Sequence, residues 1–311
     1  LFFGLAGMPL FSSCHSAENA DNQSPNILFI MSDDHATQAL SCYGSKINKT
    51  PNLDRLAKEG ALLNQCFVTN SISAPSRASI LTGKYGHKHG KVTNILPFNG
   101  DQTTFPKLLQ KAGYETAMIG KWHLDPQPQG FDFWKILTGY KGQGNYYNPE
   151  FNEMGNKETY TGYVTNLITD FTLDWLKKRN DNQPFCLLYQ HKAPHGPWLP
   201  DTSDLTMYDD QKIPVPDNYF DDFENRSNWY QYHEGIIARF MNENSLKTRD
   251  LTKGYRLNKE QRAAFREAYE PKNEKMRAAE LSEKEMAIWK YQRYIKDYLR
   301  TVKSLDDNIG R

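Results

Sequence analysis

Two short, unbroken apolar runs constrain this chain most: NILFIM at residues 26–31 and PFCLLY at 184–189. A strand with one face in water alternates apolar and polar side chains. An unbroken run belongs instead to a strand covered on both faces, as in parallel sheets. A further strand is expected at 114–119, and another at the apolar stretch 62–68. Helical patterns fall between them. Thr50-Pro51-Asn52 opens a helix through Lys58 that Gly60 ends, and residues 104–112 form a second, capped by Gly113. A long helix over 163–179 carries Val164, Leu167, Ile168, Phe171, Trp175 and Leu176 on one face. Strands alternating with helices predict an α/β sheet covered on both faces. Residues 200–275 read as an irregular excursion over the sheet. From Ser282 to Ile309, apolar positions three and four apart predict a helix lying lengthwise on the sheet; a coiled coil would need more heptads.

In such sheets, ligands bind beyond the carboxyl ends of the strands. Three polar clusters sit just past predicted strands: Asp33-Asp34, Lys121 with His123, and His191 with His195. Adjacent carboxylates repel unless a cation neutralises them, and hard oxygen donors of this kind suit calcium or magnesium. Taken singly, each cluster also fits a plainer description: a solvated Asp-Asp turn, a surface lysine, a core histidine.

A fourth feature is Ser73-Ala74-Pro75-Ser76-Arg77, closed by Leu81-Thr82-Gly83. The proline suits a helix start and the glycine a helix stop, so Ser73 stands at a helix N-terminus with Arg77 one turn on. Free N–H groups and the helix dipole make that end an anion site. An ordinary capped helix is the competing description.

The Ser73 segment resembles the signature of the type I, formylglycine-dependent sulfatases in its serine form. Gly120-Lys121-Trp122-His123 and His191-Lys192-Ala193-Pro194-His195-Gly196-Pro197-Trp198 match further family motifs in order. The resemblance covers residues 25–311 and implies an alkaline-phosphatase-like fold, a mostly parallel sheet with helices on both faces. It implies that Ser73 is oxidised to formylglycine by a radical maturase, and that the residue's hydrate attacks the sulfur of a sulfate ester. Arg77 and Lys121 then neutralise charge, His123 acts as base, and His195 protonates the leaving alcohol; His191 has the weaker claim. Asp33, Asp34 and modified Ser73 bind the metal, calcium before magnesium. The family's later Ser-Asp-x-Gly type motif and second lysine do not appear, and residues 305–311 resemble the helix before that motif. The expectation is a catalytic domain cut short at both ends, with weak metal binding. The stretch from His191 through Asp217-Asn218-Tyr219-Phe220-Asp221-Asp222, with the tyrosines of 291–298, resembles the N-acetylglucosamine-6-sulfatase branch and implies a sulfated glycan substrate.

Composition narrows the alternatives. A net charge of +1 with 24% charged residues gives no bulk basic field for nucleic acid. Residues 1–11 form an apolar run of signal-peptide length before Ser12-Ser13-Cys14, and residues 1–24 read as a leader and polar linker with Cys14 lipidated. That reading places the protein in a bacterial cell envelope, periplasmic or at the surface. Cys42, Cys66 and Cys186 show neither disulfide nor zinc spacing and are expected as buried free thiols. Two rivals stay open: a phosphatase or phosphotransferase of the alkaline-phosphatase superfamily using unmodified Ser73, and a non-catalytic glycan-binding surface lipoprotein.

Overall fold

The computed structural model describes residues 24–139, 142–231, 236–249 and 254–311; the apolar run at 1–11 and Cys14, on which the expected leader rests, lie outside them. The first apolar run becomes β1 (Ile27–Met31). The sheet continues with β2 (Glu115–Gly120), β3 (Phe133–Leu137), β4 (Glu150–Glu153), β5 (Asn156–Thr159) and β6 (Phe185–Gln190), in spatial order β1-β6-β2-β3-β4-β5. The first four strands in that order are mutually parallel, and β4 and β5 close the far side as antiparallel additions.

The helices are α1 (Pro51–Glu59), α2 (Ser73–Thr82), α3 (Gly86–His89), α4 (Phe105–Lys111) and α5 (Val164–Lys178), then three single turns, α6 (Asn228–Gln231), α7 (Ile237–Phe240) and α8 (Glu243–Leu246), and finally α9 (Lys259–Ala278) and α10 (Glu283–Gly310). Alternate residues of the central strands explain the layers. Ala117, Ile119, Leu187 and Tyr189 join Ile168 and Trp175 of α5 and Leu305 of α10 in one core. Their neighbours Met118, Cys186 and Leu188 point the other way, onto Ala74, Ala78 and Leu81 of α2, with Phe105 and Leu109 of α4 alongside. Both faces of β6 are dry, which is why its run is unbroken.

Three expectations need correction. Residues 62–68 form no strand; Leu63, Phe67 and Val68 lie exposed, because no described strand offers them a ladder and propensity alone does not make one. The 200–275 stretch is not wholly irregular, since α9 begins at Lys259 behind a capping box of Asn258 and Gln261. Cys66 is exposed, while Cys42 is half-buried and Cys186 buried. β1 is also an edge: among the described residues only β6 pairs with it, and Leu28 is 47% exposed. No described helix is long and apolar enough to cross a membrane.

The excursion is pinned to α10 by a buried charge cluster. Asp297 accepts from Lys247 Nζ at 2.8 Å, Arg300 Nη1 at 2.8 Å and the Tyr269 hydroxyl. Arg300 also reaches Asp209 Oδ1 at 2.8 Å and the Met207 carbonyl. Burial alone would raise the Asp297 pKa; Lys247 and Arg300 outweigh it and hold the carboxyl below its usual range. Asp297→Ala should lower the unfolding free energy in urea by about 3–5 kcal/mol, because Lys247 stays buried without its counter-charge.

His191, just past β6, is wholly buried against Tyr189, ring centroids 4.3 Å apart, and neither ring nitrogen has a hydrogen-bond partner among the described residues. Burial pulls its pKa down to about 3 from the ordinary 6.5. The unfolded chain therefore takes up a proton below pH 6.5 that the folded chain refuses, and stability falls with pH. Between pH 7 and pH 5 this one group should cost about 2 kcal/mol, and His191→Phe should remove that part of the loss, measured by urea midpoints at both pH values.

Candidate active site

Four segments meet at the carboxyl ends of β1, β2 and β6. After β1 comes Asp33, buried, its N–H donating to the Ala193 carbonyl at 3.1 Å. Asp34 follows at φ 58 with its side chain 60% exposed, and Tyr298 of α10 holds the turn by donating to the Asp34 carbonyl at 3.0 Å while accepting from Ala36 N–H at 2.7 Å. After β2 come Lys121 and His123; after β6 come Lys192 and His195. The N-terminus of α2 brings Ser73 and Arg77.

Ser73 is the first residue of α2, with Pro75 two further on and Gly83 ending the helix in the left-handed region at φ 64. Its hydroxyl caps no N–H of its own helix and serves the cluster instead. Ser73 Oγ lies 3.1 Å from His123 Nδ1, 3.4 Å from Arg77 Nε and 3.4 Å from Asp33 Oδ1. Arg77 is buried and fully committed: Nη1 donates to the Lys121 carbonyl at 2.6 Å and to Gln190 Oε1 at 2.5 Å, and Nη2 stands 3.5 Å from Asp33 Oδ1. Lys121 Nζ donates to Asp33 Oδ2 and to Gln143 Oε1.

Gly120 makes this approach feasible. At φ +111 its Cα sits against the Gln190 carbonyl, where a Cβ would lie 1.9 Å from that oxygen, and the next N–H, Lys121, donates to the same carbonyl at 2.8 Å. A side chain there would push β2 off β6 and Lys121 off Asp33.

The electrostatics follow from burial and close packing of like charges. Burial would raise the Asp33 pKa; Lys121 and Arg77 overcome this and lower it. Lys121 is drawn down to about 8, by burial first and against the pull of Asp33. His123 falls to about 3, through burial and then the charges of Lys121 and Arg77. Because Lys121 donates to the Gln143 oxygen, the amide NH2 of Gln143 faces His123 Nε2 at 3.2 Å. That leaves the His123 proton on Nδ1, donating to Ser73 Oγ; service as a base at Nδ1 needs the other tautomer. His195 Nδ1 donates to the Gly196 carbonyl at 2.9 Å, so Nε2 faces outward, 3.6 Å from Asp34 Oδ2.

The structure thus gathers Ser73, Arg77, Lys121, His123, Asp33 and Asp34 with His195, and places His191 underneath, away from the cluster. It adds three residues to the expected set: Gln143, Gln190 and Lys192. Lys192 is buried, donates to the Gly196 carbonyl at 3.4 Å, and is lowered to about 7 by burial and by Lys121. A lysine directly after an apolar strand, inside the His-x-x-x-His segment, was the signal for it; the two glutamines carry none, being common polar residues known only by their partners.

Among the described residues no group of three or more His, Cys, Asp or Glu side chains is arranged to hold a metal ion. Asp33 and Asp34 offer carboxylates and Ser73 a hydroxyl, but both Asp33 oxygens already face Lys121 or Arg77. These donors are a minority of the six to eight oxygens calcium takes.

Comparison with known proteins identifies the family. The Sulfatase family profile matches residues 25–311. An N-acetylglucosamine-6-O-sulfatase of Bacteroides thetaiotaomicron is 44% identical over 324 residues, covering 100% of this chain and 58% of that protein. A human N-acetylgalactosamine-6-sulfatase is 32% identical over 213 residues, covering 56% of this chain and 40% of its own length. The solved structure of BT4656 in complex with its substrate D-glucosamine-2-N,6-O-disulfate superimposes with a TM-score of 0.84 at 43% identity, covering 93% of this chain and 61% of that one. The chain therefore spans less than two thirds of the relatives it matches. Members of this family work with a formylglycine and a divalent metal. With its mixed sheet, its alkaline-phosphatase-like architecture and this match along nearly its whole length, the chain belongs to the sulfatase family.

Proposed function

We propose that this chain is the catalytic portion of a sulfuric ester hydrolase that removes the 6-O-sulfate of N-acetylglucosamine in sulfated glycans. One observation carries the reading. A single oxygen, Ser73 Oγ, stands at a helix N-terminus within 3.4 Å of a buried guanidinium and 3.1 Å of a histidine, on the ligand-binding rim of the sheet. The name of the 44% identical relative supports the choice of sugar and of sulfate position.

Residue 73, matured by a radical enzyme to formylglycine, would supply a geminal diol, one hydroxyl to attack sulfur and the other to let sulfate leave. The chain's own residues do the rest. Arg77 and Lys121, with Lys192 partly protonated near neutral pH, face the carboxylates of Asp33 and Asp34, which leaves a pocket able to gain positive charge when a sulfate monoester binds. His195 presents Nε2 to the leaving oxygen. Burial and then the charges of Lys121 and Lys192 lower its pKa, and a bound sulfate opposes those charges and restores the proton it must give. His123 is close enough to take the second hydroxyl proton through Nδ1, once Gln143 turns its oxygen to Nε2. Asp33 and Asp34 would offer hard oxygen donors to a divalent metal, calcium before magnesium, which would supply positive charge to the sulfate oxygens. The apolar run at 1–11 and Cys14 support export with a lipid on that cysteine, hence a place in a bacterial cell envelope.

Co-expressed with a radical maturase, the protein should yield a Ser73 peptide lighter by two hydrogens in mass spectrometry and release sulfate from 6-O-sulfated N-acetylglucosamine. Ser73→Ala should abolish release. Retained sulfate release by Ser73→Ala, or preferential cleavage of phosphate esters by the matured protein, defeats the reading.

Lys192 acts through charge and position. Lys192→Met should lower kcat/KM on the same substrate by about 10²-fold, the order found for a lost charge-stabilising donor. It should also move the limb of the pH profile set by His195 to higher pH, because a repelling cation is gone. A rate loss with an unmoved profile would make Lys192 purely structural.

A further inference from the structure

Between α9 and α10, a cavity of about 490 Å3 opens that shares no residue with the Ser73 site. α10 gives it Trp289, Arg293, Lys296 and Arg300, whereas Tyr298, which holds the Asp34 turn, lies on another face of the same helix. The volume is in the range that holds a small ligand.

Its charge is lopsided. Five basic side chains (Lys272, Lys275, Arg293, Lys296 and Arg300) line it against one carboxylate, Asp209. Asp209 is spoken for, by Arg300 Nη2 at 2.8 Å and Lys272 Nζ at 2.5 Å. Lys275 and Lys296 have no ion pair among the described residues, although Lys296 donates to the Asp209 carbonyl at 3.4 Å. An adjoining hollow shares Asp209, Trp289 and Lys296 with this cavity and adds Lys212 against the carboxylates Asp210 and Glu285, so the basic excess is greatest at the Lys275 and Arg293 end. Arg293 is only 7% exposed and its guanidinium is clamped between Tyr269 and Trp289, 4.7 and 5.0 Å from the ring centroids. Its Nη2 donates to Asn273 Oδ1 at 2.9 Å, and Nη1 has no partner among the described residues. A buried donor left unpaired is costly unless something takes its hydrogen bond. Burial and then neighbouring cations, against the pull of Asp209, also push Lys296 below its ordinary pKa, and an anion in the cavity would relieve that.

We propose that this cavity is a second saccharide site, which holds a sulfated sugar by its sulfate groups against Lys275, Lys296 and Arg293 and by its pyranose face against Trp289. The indole favours a sugar over a bare anion, since a ring edge offers apolar C–H to an aromatic face. A polymeric substrate could then be held here while another residue of the same chain is processed elsewhere.

The test is a calorimetric titration of the full chain carrying Ser73→Ala, which is blind to turnover and so is independent of the catalytic reading. The probe is a heparin-derived tetrasaccharide, and an unsulfated N-acetylheparosan tetrasaccharide is the control. Lys275→Ala/Lys296→Ala, and separately Trp289→Ala, should each remove one binding site per chain or weaken it at least tenfold, with the thermal midpoint unchanged for Lys275→Ala alone, the exposed member of the lysine pair. An unchanged stoichiometry and affinity in the lysine pair overturns the proposal. So does equal binding of the unsulfated sugar, or full displacement by inorganic sulfate at matched sulfate concentration, which would mean an adventitious ion only.

Discussion

The site is organised by one buried carboxylate. Asp33 sits at the end of β1 with almost no access to water, a position that disfavours its charge, and it is kept ionised by Lys121 from β2 and Arg77 from α2. Three elements distant in sequence are thereby drawn to one point. Among the described residues Asp33 is the carboxylate that ion-pairs with these two cations, Asp34 adding only a weaker pull, so each partner needs the others to justify its burial. Ser73 inherits its place from this knot: it is one helical turn from Arg77 and hydrogen-bond distance from Asp33.

Around the knot, the fold supplies rigidity from two directions. The parallel strands bring the rim residues level, with Gly120 allowing β2 and β6 to touch at the site itself. α10 lies across the same end. Its Tyr298 fixes the loop after β1, and its Asp297 and Arg300 tie down the excursion that covers the molecule's flank. A single long helix therefore sets the geometry of the Asp34 turn and the path of a segment more than 150 residues away in sequence.

Much of this was legible in the residues. The unbroken runs gave β1 and β6, each within a residue of the ends expected, and the amphipathic face from Val164 to Leu176 gave α5. The positions around Asp33, Lys121 and His195 could be placed on one rim because the residues after parallel strands share an end, whereas Ser73 reads only as a helix N-terminus. Other features depended on partners invisible in one dimension. β4 and β5 are short and polar, and only pairing identifies them. α9 buries little beyond Phe265, Tyr269 and Asn273, so its apolar signal is thin, and it carries Pro271 in its interior. Residues 62–68 carry strand composition without a neighbour to bond to. Gln143 was beyond reach altogether: its role is to hand a hydrogen-bond direction from Lys121 to His123, and direction is a property of space.

The outer edge of β1 is paired by no described strand. Leu28 faces outward beside a row of peptide groups that no described strand takes up, and exposed Phe67, Val68 and Ile95 add to the apolar surface of the described residues. Bare ladders of this kind recruit other backbones. Preparations of this polypeptide should therefore self-associate as protein concentration rises, and dilution, mild detergent or a capping peptide that extends the sheet would keep single molecules in solution for kinetic work.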